Sequence, residues 1–162
     1  MCIICVSPKR VRQPNVTTIR RMFRNNPDGA GYMVARDGKV TISKGFMDVD
    51  EYIEAIRAEH FTAKDPVVYH FRISTQAGVD PEMTHPFPLS NRIEHMKVLD
   101  VECSCGVAHN GIIRLTTDRN NHEYSDTALF IANYLSLIIR EPGDLKDERV
   151  LKLIHRLAGS KL

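Results

Sequence analysis

The order of strand-like and helix-like segments along the chain predicts an α+β fold built from packed layers. Apolar, β-branched runs of strand length alternate with amphipathic runs of helical spacing, and two of the strands are joined by a hairpin turn. The 162 residues are 43% hydrophobic and 26% charged, which is typical of one globular domain with its own core. We therefore expect a single domain that spans residues 1–162.

The first half of the chain carries the clearest local signals. Residues 2–7 are apolar and β-branched, which predicts a buried strand beginning almost at the first residue. Apolar side chains at helical spacing predict a helix over residues 15–25, with a cluster of arginines on its solvated face. The dipeptide Asp37-Gly38 between the runs 32–35 and 39–43 predicts a β-hairpin.

A second helix and another strand are expected next. Asp48 and Asp50 offer N-cap oxygens to a helix that ends near residue 60. Residues 67–73 form the next predicted strand, and the polar, proline-interrupted segment 76–92 predicts a long surface loop. Long loops beside rigid strands often carry functional sites, so this region is a candidate.

The second half of the chain is predicted to add two strands and two helices. Apolar residues at 96–101 and 106–115 predict the strands. Ser125 begins a helix, and a final helix covers residues 147–157. The apolar positions that define the helix after Ser125 are Ala128, Leu129, Ala132 and Leu135.

Charge and hydropathy limit the classes of partner. A net charge of +2, from 22 basic and 20 acidic residues, creates no large field of one sign, so we expect neither nucleic acid nor a membrane as partner. No run reaches the roughly 20 apolar residues of a membrane span, and no secretory signal is evident. We expect a cytoplasmic protein with reduced thiols at its four cysteines. The tripeptide Ser160-Lys161-Leu162 also matches a peroxisomal address, a pattern that arises often by chance.

Cys2 is the first candidate for catalysis. A small second residue permits removal of Met1 by an aminopeptidase, which leaves Cys2 with both a thiol and a free α-amine. The two groups titrate close enough to neutral pH to act as nucleophile and base within one residue. Taken alone, Cys2 is better explained as an ordinary core cysteine, so the hypothesis depends on other residues.

Several segments along the chain, together with Cys2, form a set of motifs in a defined order. They are Met1-Cys2, Asn26-Pro27-Asp28-Gly29-Ala30-Gly31, His70-Phe71-Arg72-Ile73-Ser74-Thr75, Thr84-His85-Pro86-Phe87, His109-Asn110-Gly111 and Ser125-Asp126-Thr127. In order and approximate spacing they resemble the class II glutamine amidotransferases of the N-terminal nucleophile hydrolase superfamily, from residue 2 to about residue 139. The resemblance implies a four-layer αββα sandwich and hydrolysis of free glutamine to glutamate and ammonia through a thioester on Cys2. It implies no metal and no organic cofactor.

The resemblance also implies how free glutamine is held. Arg72 corresponds to the clamp for the substrate α-carboxylate, a role that suits a guanidinium because its planar donors fit a carboxylate at two points. Asp126 corresponds to the acceptor for the α-ammonium, with Thr75 hydrogen-bonding nearby. Without the resemblance, Arg72 would be read as a surface arginine in a salt bridge and Asp126 as part of a helix cap.

Asn110 and Gly111 match the family's oxyanion hole, in which a side-chain amide and a backbone N–H stabilise the tetrahedral oxygen. In isolation this dipeptide would be an ordinary Asn-Gly turn between two strands. The histidines of the motifs are expected to be structural or site-shaping, because the family uses the N-terminal amine as its base. They are His70, His85 and His109.

Other hypotheses remain open. Cys103 and Cys105 with His109, and either Cys5 or His122, offer ligands for zinc, although the C-x-C spacing is narrower than usual. An N-terminal cysteine enzyme could hydrolyse another amide, and a non-catalytic binding module could retain the fold.

The sequence departs from the family pattern at several positions, which include Thr84 before His85-Pro86 and Ala128 after Ser125-Asp126-Thr127. Ile3 stands where the family often has glycine, and Gln76-Ala77 precedes Gly78 where one residue is usual. The family's domain also continues with strands that would follow the last helix, so the sandwich is expected to be reduced or incomplete at the C-terminus. No nucleotide-binding motif occurs, so we expect any ammonia acceptor, such as a synthase, on another chain.

Overall fold

The computed structural model describes residues 1–74, 79–117 and 123–162, and these residues form an α+β protein with two antiparallel sheets. The strands are β1 (Ile3–Ser7), β2 (Ala30–Arg36), β3 (Lys39–Phe46), β4 (Val67–Phe71), β5 (Phe87–Pro88), β6 (Asp100–Cys103) and β7 (Gly106–Val107). The helices are α1 (Val16–Asn25), α2 (Val49–Ala58), α3 (Asp126–Phe130), α4 (Ser136–Ile138) and α5 (Glu148–Ala158). A π-helical turn, Ile131–Leu135, joins α3 to α4.

The larger sheet has five strands in the order β1-β4-β2-β3-β6. β2 and β3 form the predicted hairpin, and positive φ angles of 50° at Asp37 and 78° at Gly38 give the turn the twist that a two-residue hairpin needs. β1, at one edge of the sheet, pairs antiparallel with β4, with Ile3 opposite Phe71. The N-terminal end of the chain is therefore fixed beside the end of β4.

Side chains alternate between the two faces of this sheet, as the pleat requires. Tyr69 and Phe71 of β4 are buried on the face covered by α1 and α2. Aromatic contacts fill that layer, for example between Tyr52 of α2 and Phe71, whose ring centroids lie 5.6 Å apart. His70, between them in sequence, faces the opposite side of the sheet.

A second core lies around the two-stranded sheet of β5 and β7 and the helices α3 and α5. β7 crosses close to the larger sheet, since a Cβ at Gly106 would come within 2.6 Å of the Met33 sulfur. Buried Lys44 of β3 binds the segment that connects β4 to β6. Its Nζ donates to the carbonyls of Glu82 and Met96, both at 2.6 Å, and lies 4.0 Å from the Phe87 ring centroid.

The predicted α+β class, the hairpin and the early helices are confirmed, but two predicted strands are wrong in extent. Residues 96–101 begin instead in a 3₁₀ helix, Ile93–Lys97, and the strand is Asp100–Cys103. Within 106–115 only Gly106–Val107 is a strand, and a 3₁₀ turn, Arg114–Thr116, follows. Beyond Val107 the backbone bonds to distant groups, since the Asn110 N–H donates to the Lys161 carbonyl and the Ile113 N–H to the Asp126 carboxylate. No helix formed by the described residues is long and apolar enough to cross a membrane.

Candidate active site

Cys2 immediately precedes β1 and lies beside the residues that follow β4. Because Ile3 is paired with Phe71 in antiparallel register, the next residue back along β1 lies next to Arg72 and Ile73. The Cys2 thiol points at the carbonyl of Ile73, with 3.9 Å between Sγ and O. Met1, ahead of it, is 91% exposed and accessible for removal.

Two asparagine side chains hold the carbonyl oxygens of the first two residues. Asn110 donates from Nδ2 to the Cys2 carbonyl at 2.8 Å, and Asn26 donates from Nδ2 to the Met1 carbonyl at 2.9 Å. Asn26 is buried and stands where α1 ends. Sequence reasoning quoted Asn26 in a motif without giving it a role, because turn formers surround it and no local pattern indicates a contact with Met1.

Arg72 is held in place by hydrogen bonds of its backbone. Its N–H donates to the Gly29 carbonyl at 2.8 Å, and its own carbonyl accepts from the Asp28 N–H at 3.1 Å. The Nη1 atom of its guanidinium is buried and has no hydrogen-bond partner among residues 1–74, 79–117 and 123–162. None of the ion pairs among the described residues includes Arg72, so the surface salt-bridge interpretation has no support there.

The loop of Asn110 and Gly111 is not the turn of a hairpin. The Asn110 N–H donates to the carbonyl of Lys161 at 2.9 Å, in an isolated bridge with the segment after α5. Gly111 has a φ of 148°, and a Cβ there would approach Ser160 Cβ to 2.7 Å, so glycine is required on two grounds. The Oδ1 of Asn110 is buried, and no described residue donates a hydrogen bond to it.

Asp126 binds backbone donors with both of its oxygens. Oδ2 accepts from the Ile113 N–H at 2.6 Å and Oδ1 from the Thr127 N–H at 2.8 Å, while Ser125 caps the helix through the Ala128 N–H. The helix-cap interpretation therefore describes this neighbourhood. A carboxylate has about four lone-pair sites, so Asp126 retains capacity for another donor. Thr75, the other predicted substrate-binding residue, lies outside the described residues.

Three histidines from the motifs gather behind this loop. His70 and His85 stack with ring centroids 4.4 Å apart, and Nε2 of His70 donates to the His109 carbonyl at 3.1 Å. Burial lowers the pKa of His70 to about 4 and that of His85 well below its ordinary value. The pKa of His109 is also lowered by burial, against the opposing effect of Asp126. All three rings are therefore neutral near pH 7, and no hydrogen bond between described residues joins any of them to the Cys2 thiol.

The zinc hypothesis finds no cluster in the described part of the chain. No group of three or more His, Cys, Asp or Glu side chains there could hold a metal ion. The Cys103 thiol donates instead to the carbonyls of Cys105 and Val40, at 3.2 and 3.6 Å. His122, one of the ligands considered, lies outside the described residues.

Comparisons with protein-family models, with curated proteins and with solved structures give no match for this chain. Assignment of a function therefore depends on the geometry of the site and on the motifs that carry the resemblance.

Proposed function

We propose that this protein hydrolyses the side-chain amide of free glutamine, with Cys2 as an N-terminal nucleophile. The observation that carries the proposal is the 2.8 Å hydrogen bond from the Asn110 amide to the Cys2 carbonyl. It brings the candidate oxyanion donor to the candidate nucleophile from 108 positions away. Next to them lies Arg72, with a buried Nη1 that has no partner among the described residues. A buried cationic donor without a partner is costly, and an anionic ligand would remove that cost.

The reaction begins after Met1 has been removed. The α-amine of Cys2 takes the thiol proton, and the sulfur attacks the glutamine side-chain carbonyl to give a tetrahedral oxyanion. Asn110 Nδ2 and the Gly111 N–H stabilise that negative charge. The protonated amine then gives its proton to the leaving nitrogen, ammonia departs, and a γ-glutamyl thioester remains. Water attacks the thioester, releases glutamate and restores the thiol.

Substrate recognition follows from the charged groups around Cys2. Arg72 holds the α-carboxylate of glutamine through its guanidinium fork, at the rigid end of β4. Asp126 accepts from the α-ammonium through its remaining lone pairs, and the resemblance adds Thr75 as a further hydrogen-bonding residue. Opposite charges at both ends of the amino-acid head select free glutamine over glutamine within a peptide.

The layer order supports a reduced αββα sandwich. Helices α1 and α2, the five-stranded sheet, the β5-β7 sheet and then α3 and α5 succeed each other. The second sheet, as described, has only two short strands.

An apolar cavity of about 260 Å³ lies beside the larger sheet, lined by residues that include Val6, Met33, Val68 and Leu145. A synthase or another ammonia acceptor on a separate chain completes the proposed function.

A second candidate is an N-terminal cysteine enzyme that acts on another amide. One observation favours it, because both oxygens of Asp126 already bind backbone N–H groups. Recognition of the α-ammonium would then be weak, and selectivity for free glutamine would be lost. Comparing hydrolysis of glutamine with that of N-acetylglutamine separates the two candidates, since only the first requires a charged amine.

Incubation with a diazoketone analogue of glutamine tests the main proposal directly. We expect intact mass to show loss of Met1 and one added label, mapped to Cys2 and prevented by excess glutamine. Glutamate and ammonia should form in equal amounts from glutamine. Labelling of Cys5, Cys103 or Cys105 instead, with no glutamate released, would contradict the proposal.

A further inference from the structure

His109 connects the candidate oxyanion loop to two other parts of the fold. Its Nδ1 lies 2.8 Å from Thr127 Oγ1 in α3, and its Nε2 lies 2.7 Å from Ser160 Oγ in the segment after α5. The ring is only 2% exposed, so these two hydroxyls take the place of water as its partners.

Each of the two hydroxyls also has a second acceptor. Ser160 Oγ lies 3.1 Å from the carbonyl oxygen of Ala158, and Thr127 Oγ1 lies 3.4 Å from Oδ1 of Asp126. A neutral His109 ring has one donor and one acceptor nitrogen, so it donates to one of the two hydroxyls and accepts from the other. The lowered pKa of His109 agrees with a neutral ring.

Residues 160 and 161 also contact the loop through their backbone and Cβ. The Lys161 carbonyl accepts from the Asn110 N–H at 2.9 Å, and Ser160 Cβ occupies the space beside Gly111. The end of α5 does not require these contacts. Gly159 already ends that helix in a left-handed conformation, with its N–H bonded to the His155 carbonyl.

We propose that Ser160 is a positioning residue for the oxyanion donors, acting through His109, and that the segment 159–161 forms part of the frame of the active site. The inference rests on the proposed glutaminase function. Ser160 fixes the ring of His109, His70 fixes the His109 carbonyl, and Lys161 fixes the Asn110 N–H. Asn110 Nδ2 and the Gly111 N–H thereby keep a fixed orientation toward the reacting carbonyl.

The test compares Ser160→Ala with Ser160→Thr, using full-length protein from which Met1 has been removed. Loss of the Ser160 hydroxyl should lower kcat roughly 10- to 100-fold while KM for glutamine stays within about twofold, because misplaced donors act mainly on the transition state. Threonine restores the hydroxyl and should recover most of kcat. Ser136→Ala is the matched control, since Ser136 Oγ donates to the Ala132 carbonyl in the preceding π-helical turn and bonds to no other described residue.

A second readout does not depend on activity. Exchange of the Asn110 amide proton with solvent should become faster in Ser160→Ala, whereas the melting temperature and exchange in β4 should stay close to wild type. An active wild type together with an unchanged kcat in Ser160→Ala would overturn this inference alone. An unlabelled, inactive wild type would overturn the proposed function and the positioning role with it.

Discussion

The side-chain amide of Asn110 donates to the carbonyl oxygen of Cys2 at 2.8 Å, across 108 positions of the sequence. This contact brings the end of β1 against a loop that is itself bonded to α3 and to the segment after α5. Because the donor is a neutral amide, its ability to donate does not depend on pH near neutrality. The Cys2 thiol, the Asn110 amide donor and Arg72, whose Nη1 has no partner in the part of the chain that the structure describes, thus lie around the start of β1 and the end of β4.

Asn110→Ala should lower kcat by roughly 100- to 1,000-fold with little change in KM, since the donor acts where negative charge develops. Asn15→Ala is a useful control. It removes the N-cap of α1, whose side chain accepts from the Thr18 N–H, and should cost about 1 kcal/mol of stability without lowering kcat. A rise in KM alone for Asn110→Ala would show that this side chain is not an oxyanion donor.

Arg72→Lys should weaken glutamine binding by roughly 10- to 100-fold although the positive charge is kept, because an ammonium cannot reproduce the two-point fit of a guanidinium. Calorimetric titration in a Cys2→Ala background measures binding without turnover. Arg57→Lys, on the exposed face of α2, serves as control and should bind normally. Equal affinities for the two variants would exclude Arg72 as the carboxylate clamp.

Buried His70 should make stability depend on pH. Its pKa is lowered from 6.5 to about 4 by burial, so the unfolded chain binds more protons than the folded one between these values. The free energy of unfolding should therefore fall as pH falls from about 6.5 toward 4, by about 3 kcal/mol at about 1.4 kcal/mol for each pKa unit. Burial of His85 and His109 acts in the same direction.

Urea unfolding at several pH values measures this slope. His70→Gln keeps a donor for the His109 carbonyl but does not titrate, so its slope should be shallower than that of wild type. A steeper slope in His70→Gln than in wild type would mean that His70 is protonated in the folded protein.

Lys44→Met should destabilise the fold by about 2 kcal/mol, because the carbonyls of Glu82 and Met96 lose their donor while the aliphatic packing remains. Lys39→Met is the matched control. It removes only an exposed ion pair with Glu102 and should change stability by less than about 1 kcal/mol. Similar melting temperatures for both variants would show that the hydrogen bonds of Lys44 to the segment between β4 and β6 do not stabilise the fold.

The elements that could be predicted from the sequence are those with local signals. The N-caps Asn15 and Asp48 and the turn at Asp37-Gly38 each determine the backbone within a few residues, so α1, α2 and the hairpin agree with the structure. The predicted strand at 106–115 failed because its backbone bonds are non-local. Asp126 takes the Ile113 N–H, and Ile112, apolar in sequence, is 61% exposed.

The site shows the same division between local and distant effects. Cys2, Arg72, Asn110 and Asp126 could be named from motifs, but their distances depend on how the sheets and helices pack. Asn26 and Ser160 were missed, since a contact with Met1 or with His109 leaves no pattern in the surrounding residues. The Asn110 carboxamide also has a buried Oδ1 that no described residue contacts with a hydrogen bond, and no sequence pattern indicates this.

The central claim is that Cys2 works with a free thiol and a free α-amine at the same time. The most direct measurement is glutaminase activity of a protein that keeps the Cys2 thiol but retains one cloned residue ahead of it, confirmed by intact mass. We expect this protein to fold with an unchanged melting temperature and to lose at least about 100-fold in kcat, because an amide nitrogen cannot accept the thiol proton. Wild-type activity from the extended protein would contradict the assignment of Cys2 as an N-terminal nucleophile.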